Sequence, residues 1–191
     1  AQLAHTGVYA PAAEAPLPTA SRAFLTQARS VICHAAPERF ALLYRLLWRC
    51  QTQPRLLEDR ADADVRRMEL MVKDVRRDIH KMRAFVRFRL VEEEGAERYV
   101  AWFEPSHHIV RANARFFIDR FTGMRWSILT PELSIHWDGE TLLEGPGANA
   151  RDAPQGDAAE DLWKLYYASI FNPARLKVKA MLKEMPRKYW K

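Results

Sequence analysis

Apolar side chains recur every three or four residues between Val65 and Met82, which is the spacing of one face of an α-helix. The residues of this apolar stripe are Val65, Met68, Val72, Val75, Ile79 and Met82. On a helical wheel, a set of basic residues lies nearly opposite to this apolar stripe, with His80 on its flank. That set is Arg66, Lys73, Arg77 and Lys81. The sequence therefore predicts a long helix that buries one face and presents a basic face to solvent.

Two helices are predicted before it. Ser21 is placed to cap a helix that runs through His34, and Pro37 begins another that ends near Gln51. In the second helix we expect an inward face made of Phe40, Leu43, Leu46 and Leu47. These two helices are predicted to be core scaffold.

Strand patterns follow the long helix. Alternation from Ala84 to Leu90 and from Arg98 to Glu104 predicts a hairpin, and Ser106 is expected to cap a helix that carries His107 and His108. Shorter strands are predicted at 124–130 and 133–137, with a return through the Asp138-Gly139 turn into Leu142 and Leu143. Two further helices are expected after residue 156. The predicted fold class is α+β, a small antiparallel sheet of hairpins packed with about six helices.

The chain has 191 residues, enough for one well-buried core. Residues 1–19 are rich in Ala and Pro and are predicted to form a flexible linker or arm, and residues 20–191 a single α+β domain. The chain does not begin with Met and ends in a basic segment. We therefore expect that this domain was cut from a longer chain.

Positive charge is concentrated near the end of the chain. The net charge is +6, and seven cations against one anion lie between Pro173 and Lys191. Concentrated positive charge attracts polyanions because binding releases their counterions. Nucleic acid is therefore the first partner to consider, with membrane phosphate and an acidic protein as alternatives.

Several classes of protein are disfavoured by what the sequence lacks. No apolar run approaches the ~20 residues of a membrane span, so we expect no membrane partner. Cys33 and Cys50 are predicted to be free thiols, and the expected location is the cytoplasm. There is no GxGxxG motif or Walker loop, and the histidine spacing is poor for a metal, so we expect neither cofactor nor metal.

Four longer strings stand out together. They are VRRDIHKM at 75–82, AWFEPSHHI at 101–109, MRWSILTP at 124–131 and YYASIFNPARLKVKAM at 166–181. In this order, over roughly Arg22 to Lys191, they resemble the family of probable DNA metabolism proteins. That domain of unknown function occurs beside a radical-SAM protein or fused ahead of a UdgX-type uracil-DNA glycosylase. The resemblance implies a role in DNA repair or modification beside such a partner, and it supplies no catalytic residues.

The leading hypothesis is an accessory DNA-binding module. The predicted nucleic-acid contacts are Arg76, Arg77, Lys81, Arg125, Trp126, Asn172, Arg175, Lys177, Lys179, Lys183, Arg187 and Lys188. Lys and Arg would neutralise phosphates, and one or two aromatic rings would engage bases. The glycosylase's own uracil-reading motifs are absent, so the chain is not expected to excise uracil by itself.

Two alternatives remain open at this point. One is an enzyme acting on DNA or a nucleotide, with His80, Glu104, His107 or His108 sharing a pocket near Arg125. The other is a module that docks onto the glycosylase or radical-SAM partner. Ser127 lacks the Gly-flanked elbow that exposes a serine nucleophile, so a catalytic triad is not expected.

Overall fold

A computed structural model of the chain describes residues 17–93 and 96–152. Most of the predicted arm and both helices predicted after residue 156 lie outside these ranges. None of the helices that are described has the length and apolar character that a bilayer span requires.

Three helices make up the first half of the described chain. They are α1 (Arg22–Ile32), α2 (Arg39–Thr52) and α3 (Ala63–Phe85), with one 3-10 turn at Leu56–Glu58 between α2 and α3. The Oγ of Ser21 accepts a hydrogen bond from the amide of Phe24 at 3.1 Å, and this confirms the predicted cap of α1. The carboxylate of Asp62 caps α3 by accepting from two amides of its first turn.

A five-stranded sheet and one more helix follow. The elements are β1 (Arg89–Glu93), β2 (Ala96–Trp102), α4 (Val110–Arg120), β3 (Trp126–Leu129), β4 (Leu133–Trp137) and β5 (Leu142–Pro146). The strands lie in the order β1-β2-β3-β4-β5. The α+β class is therefore confirmed, with four α-helices in the described part of the chain rather than about six.

The prediction of an antiparallel sheet is wrong at one pair. β2 and β3 run parallel, with Tyr99 opposite Trp126, while the other three pairs are antiparallel. The reason is the connection, because α4 carries the chain back along the sheet and β3 then starts at the same end as β2. The sheet is mixed.

Two predicted boundaries are also wrong. Helix α3 continues through Phe85, with the amide of Val86 bonded to the carbonyl of Met82, so β1 begins only at Arg89. Ser106 does not cap α4, which begins at Val110. His107 and His108 therefore lie in the turn between β2 and α4 rather than on a helix.

The predicted apolar stripe of α3 is confirmed, and it serves two cores. Its first half packs with α1 and α2, and its second half packs with α4 and the inner face of the sheet. The first core contains Phe24, Ala28, Val31, Leu42, Leu46, Leu56, Val65, Met68, Met71 and Val72. Helix α3 is thus the element that both cores share.

Gly147, just after β5, is a position where we expect a side chain to be costly. A Cβ there would overlap the carbonyl oxygen of Pro131 and lie 2.7 Å from its carbonyl carbon. Because that obstacle is backbone, Gly147→Ala should lower the free energy of unfolding by about 2 kcal/mol in urea denaturation. Gly123→Ala is the control, since a Cβ there meets nothing within 4 Å. Equal stabilities of the two variants would contradict the packing described here.

Candidate functional site

Helix α3 carries three of the predicted nucleic-acid contacts, Arg76, Arg77 and Lys81, and also Arg66 and Lys73 of the predicted basic face. Arg66, Lys73, Arg76 and Arg77 are exposed, and Lys81 is half-buried. We call Arg66, Lys73 and Arg77 the α3 cation stripe, because spacings of seven and four residues place them along one line about 16 Å long. Within the two described ranges, none of these five side chains forms an ion pair or a hydrogen bond.

Two of the three arginines of α2 differ, because carboxylates at the start of α3 neutralise them. Arg45 pairs with Asp64 at 2.9 Å, and Arg49 pairs with both Asp62 and Asp64. The hydrogen bond from Arg49 lowers the pKa of Asp62, and the one from Arg45 lowers the pKa of Asp64. These ion pairs join the two helices, whereas the α3 cation stripe has no such partner in the part of the chain described.

Acidic groups on the exposed side of α3 are fewer than the cations. Glu69 and Asp74 are exposed on the same helix, where they stand against the five cations named above. Burial lowers the pKa of His34 and of His107. The negative charge of Asp74 nearby opposes this by raising both values. A surplus of positive charge remains on this face.

The two predicted contacts at β3 have different outcomes. Arg125 is exposed at the residue before the strand. Trp126 is 0 % exposed and packs against Phe88 and Phe117, with ring centroids 5.9 and 6.2 Å away. Its ring faces the helices on the inner side of the sheet, so it is not available to stack on a base, and this corrects the expectation.

The remaining predicted contacts lie outside the described residues. They are Asn172, Arg175, Lys177, Lys179, Lys183, Arg187 and Lys188. Their role in binding stays a prediction.

The four candidate catalytic side chains are engaged with different neighbours. The Nδ1 of His108 lies 2.7 Å from a carboxylate oxygen of Glu132, and Glu104 accepts a hydrogen bond from the indole nitrogen of Trp102 at 3.2 Å. His80 is exposed on α3, whereas His107 is half-buried beneath the end of α1. Of these four, His107 belongs to a buried polar cluster, and the separate neighbours of the others do not support a shared pocket.

That cluster joins α1, α3 and the turn before α4 around Asp78. The carboxylate of Asp78 is 4 % exposed, and its Oδ2 accepts from the amides of Ser106 and His107 at 2.8 and 2.9 Å. The ring of His107 lies 4.3 Å from that of His34, centroid to centroid. The amide of His108 also donates to the carbonyl of Cys33 at 2.8 Å. Asp78 therefore holds the turn, and the two imidazoles fill the junction.

Backbone hydrogen bonds fix the tautomer of both rings. The Nδ1 of His107 accepts from the amide of Ala35 at 3.2 Å, and the Nδ1 of His34 accepts from the amide of Ala36 at 3.0 Å. An accepting Nδ1 carries no proton, so each neutral ring has its proton on Nε2. Burial lowers the pKa of both histidines, and the neighbouring His34 lowers that of His107 further. His34 was missed by sequence reasoning, because nothing in the spacing links it to a residue 73 positions away.

We expect acid to destabilise this junction. Because both folded-state pKa values lie below the usual value of about 6.5, the unfolded chain binds protons first as the pH falls. The stabilisation by the neutral rings is complete above pH ~6.5 and is lost as the pH falls through the folded-state pKa. The free energy of unfolding should therefore decrease from pH 7 to pH 5, measured by urea denaturation.

The matched variant for that pH series is His34→Asn/His107→Asn, in which an amide oxygen can replace each accepting nitrogen without titrating. Its pH dependence should be flatter than that of the unmodified chain. His80→Asn, on the exposed side of α3, is the control for the same substitution outside the junction. A double variant with the full slope would show that these rings are not responsible.

A second polar cluster lies on the sheet. The hydroxyl of buried Ser127 accepts from Nε of Arg98 at 3.1 Å and lies 2.8 Å from Nδ1 of His136, on the neighbouring strand. Burial lowers the pKa of His136, and the Arg98 charge lowers it further. Ser127 is 3 % exposed in the middle of a strand, not at an elbow, so this pair is built for strand packing rather than for nucleophilic attack.

The two thiols and the acidic side chains of the described residues bear on two kinds of site, a reactive thiolate and a metal site. Cys33 and Cys50 are free, and burial raises the pKa of both thiols, which disfavours the reactive thiolate. Within the described ranges, no group of three or more His, Cys, Asp or Glu side chains is arranged to hold a metal ion.

Comparison with known proteins identifies the family. The domain of unknown function DUF4130 matches residues 37–191, which is most of the chain. The chain belongs to the DUF4130 family. The match takes in α2, α3, the whole sheet and α4, and therefore the α3 cation stripe, Asp78 and the turn that Asp78 holds, whereas His34 lies before the matched residues. No curated protein matches the chain, and neither does any solved structure.

Proposed function

We propose that this DUF4130 chain is an accessory DNA-binding module, in which the α3 cation stripe contacts phosphates. The observation that carries the proposal is the contrast between the two helices. The two arginines in the middle of α2 are paired with carboxylates, whereas Arg66, Lys73 and Arg77 have no partner in the described residues. Unpaired cations keep their attraction for an external polyanion.

The geometry of the stripe suits a phosphate backbone. A length of about 16 Å spans roughly five phosphates of one strand, at 3.4 Å of helix axis each. Contacts of this kind orient a protein on DNA without reading its sequence. We therefore expect binding with little sequence preference, and Arg125 and the cations from Lys177 to Lys188 would extend the contact.

The role in repair or modification rests on the resemblance to probable DNA metabolism proteins. Two of the strings that carry this resemblance lie at the features described above. VRRDIHKM supplies Arg77 of the stripe together with the buried Asp78, and AWFEPSHHI supplies the turn that Asp78 holds. We propose that the module acts beside a UdgX-type uracil-DNA glycosylase or a radical-SAM protein and brings DNA to that partner.

The test is a titration of labelled duplex and single-stranded DNA with the full chain at several salt concentrations. Three phosphate contacts alone should give a slope of about −3 in a plot of log affinity against log salt. Affinity that stays constant between 50 and 200 mM salt would contradict phosphate contact.

A further inference from the structure

One face of the sheet has none of the described helices packed against it. Helices α3 and α4 contact the inner face, which carries Trp126, Ile128 and Ile135. Because side chains alternate along a strand, Ser127 and Ser134 point to the opposite side, which we call the outer face. Neither core includes the large apolar side chains described on this face, which are Val91, Val100, Trp102, Leu129 and Leu143.

The centre of the outer face is nevertheless shielded from water. Ser127 and Ser134 are 3 % and 1 % exposed, and Val100, Trp102 and Leu129 are half-buried. A sheet face that is open to solvent carries mostly polar side chains and leaves them accessible. The outer face differs on both points, because it is rich in apolar residues and its small side chains are out of contact with water.

Ser134 shows most clearly that the described residues do not supply the whole cover. Ser127 is partly shielded by His136, whose Nδ1 lies 2.8 Å from its hydroxyl. The neighbour of Ser134 on β5 is Gly145, which has no side chain to place over it. The Oγ of Ser134 is enclosed and has no hydrogen-bond partner in the residues that the structure describes. This shielding occurs within one chain, so it points to a segment outside the described ranges.

Residues 153–191 begin at the edge of this sheet. β5 is the last strand in the order, and after it the amide of Ala148 donates to the carbonyl of Thr130 at 2.9 Å. The 3-10 turn Ala150–Asp152 then ends the described residues. Residues 1–16 join the chain elsewhere, because Thr19 is hydrogen-bonded to Gln51 at the end of α2. The family match also includes residues 153–191 and excludes residues 1–16.

Residues 157–171 have the sequence pattern of a helix with a broad apolar side. Asp157 and Glu160 fit a capping box. The apolar residues that follow at helical spacing are Leu162, Trp163, Tyr166, Tyr167 and Ile170. A helix of this length measures about 22 Å, and neighbouring strands lie ~4.8 Å apart, so it is long enough to cross the centre of the sheet.

We infer that residues 157–171 pack as a helix across the outer face of the sheet. The sheet then lies between this helix on one side and α3 with α4 on the other. The apolar side of the helix covers Val100, Trp102 and Leu129, and each surface gains the apolar contact that it lacks alone. A tethered segment is favoured over a second copy, because docking within one chain avoids the entropic cost of association. The inference concerns the fold of the domain and does not depend on DNA binding.

Photo-crosslinking of the full chain tests this contact. In a Cys33→Ala/Cys50→Ala background, Leu143→Cys places a single thiol on the outer face, where benzophenone maleimide can label it because Leu143 is 55 % exposed. After irradiation, mass spectrometry should place most cross-links within residues 157–171 of the same molecule. Leu25→Cys is the matched control, since Leu25 is 48 % exposed on α1, and it should give no cross-link to this segment.

The position of the cross-link decides the outcome. Cross-links from Leu143→Cys to residues 1–16, or none to residues 157–171, would overturn the inference. Cross-links between two molecules would overturn it as well and would make the outer face a self-association surface. Cross-links to residues 157–171 from both thiols would show that the segment has no fixed place on the sheet.

A thiol at the shielded centre gives an independent measurement. In the same background, Ser134→Cys should react with iodoacetamide about 10-fold faster when Trp163→Ala/Tyr166→Ala/Ile170→Ala removes part of the apolar side of the segment. The thiol of Cys33 packs against the inner core and, kept as the single thiol in a parallel protein, should react at an unchanged rate. An unchanged rate at Ser134→Cys would refute the inference. If both thiols react equally faster, the variant has unfolded, and the cross-link in the unmodified segment decides.

Discussion

Asp78→Ala should lower the free energy of unfolding by about 3 kcal/mol, measured by urea denaturation. The carboxylate of Asp78 is buried, and it accepts hydrogen bonds from the amides of Ser106 and His107. Its removal leaves two N–H groups without this acceptor and loosens the turn that connects β2 to α4. Because that turn also contacts the end of α1, the loss should spread across the junction.

Asp74→Ala is the matched control for this prediction. Asp74 lies one turn earlier on α3, but its side chain is exposed. Its replacement should change stability by no more than about 0.5 kcal/mol. Asp78→Asn keeps one carbonyl oxygen and should fall between the two. Equal losses from Asp74→Ala and Asp78→Ala would show that the buried carboxylate does not hold the turn.

Arg66→Gln/Lys73→Gln/Arg77→Gln should weaken duplex binding about 100-fold or more at 50 mM salt, because three phosphate contacts are lost together. All three residues are exposed, so the fold should tolerate the change. Fluorescence anisotropy with a labelled duplex measures the loss. The single-stranded probe should lose affinity as well, since it offers the same phosphates.

The control for charge alone is Arg22→Gln/Arg60→Gln/Arg120→Gln. These arginines are exposed, lie outside α3, and have no ion-pair partner in the described residues. Both triple variants reduce the net charge by the same amount. A loss of affinity as large in the control as in the α3 variant would mean that overall charge, rather than the stripe, drives binding.

Helical periodicity was the most informative part of the sequence. The apolar stripe of α3 is long enough to show which face of the helix is buried. Both the buried face and the basic outer face could therefore be predicted. Helix α2 shows the limit, because apolar residues occur on more than one side. Packing against α1 and α3 buries Leu42 and Leu46 and leaves Phe40 exposed.

Contacts between distant segments could not be predicted from spacing. The parallel pairing of β2 with β3 depends on how α4 returns the chain, and local alternation contains no information on this. The junction of His34, His107 and Asp78 brings together three separate segments. Trp126 has the residue type of a base-stacking site, but its phase on β3 points it inward.

The most direct test of the account is the salt dependence of duplex affinity, compared between the α3 triple variant and its charge-matched control. Each lost phosphate contact reduces the slope of log affinity against log salt by about 0.9. We expect the slope to fall by about 3 in the α3 variant and to stay close to that of the unmodified chain in the control. Identical slopes in all three proteins would contradict phosphate binding by α3.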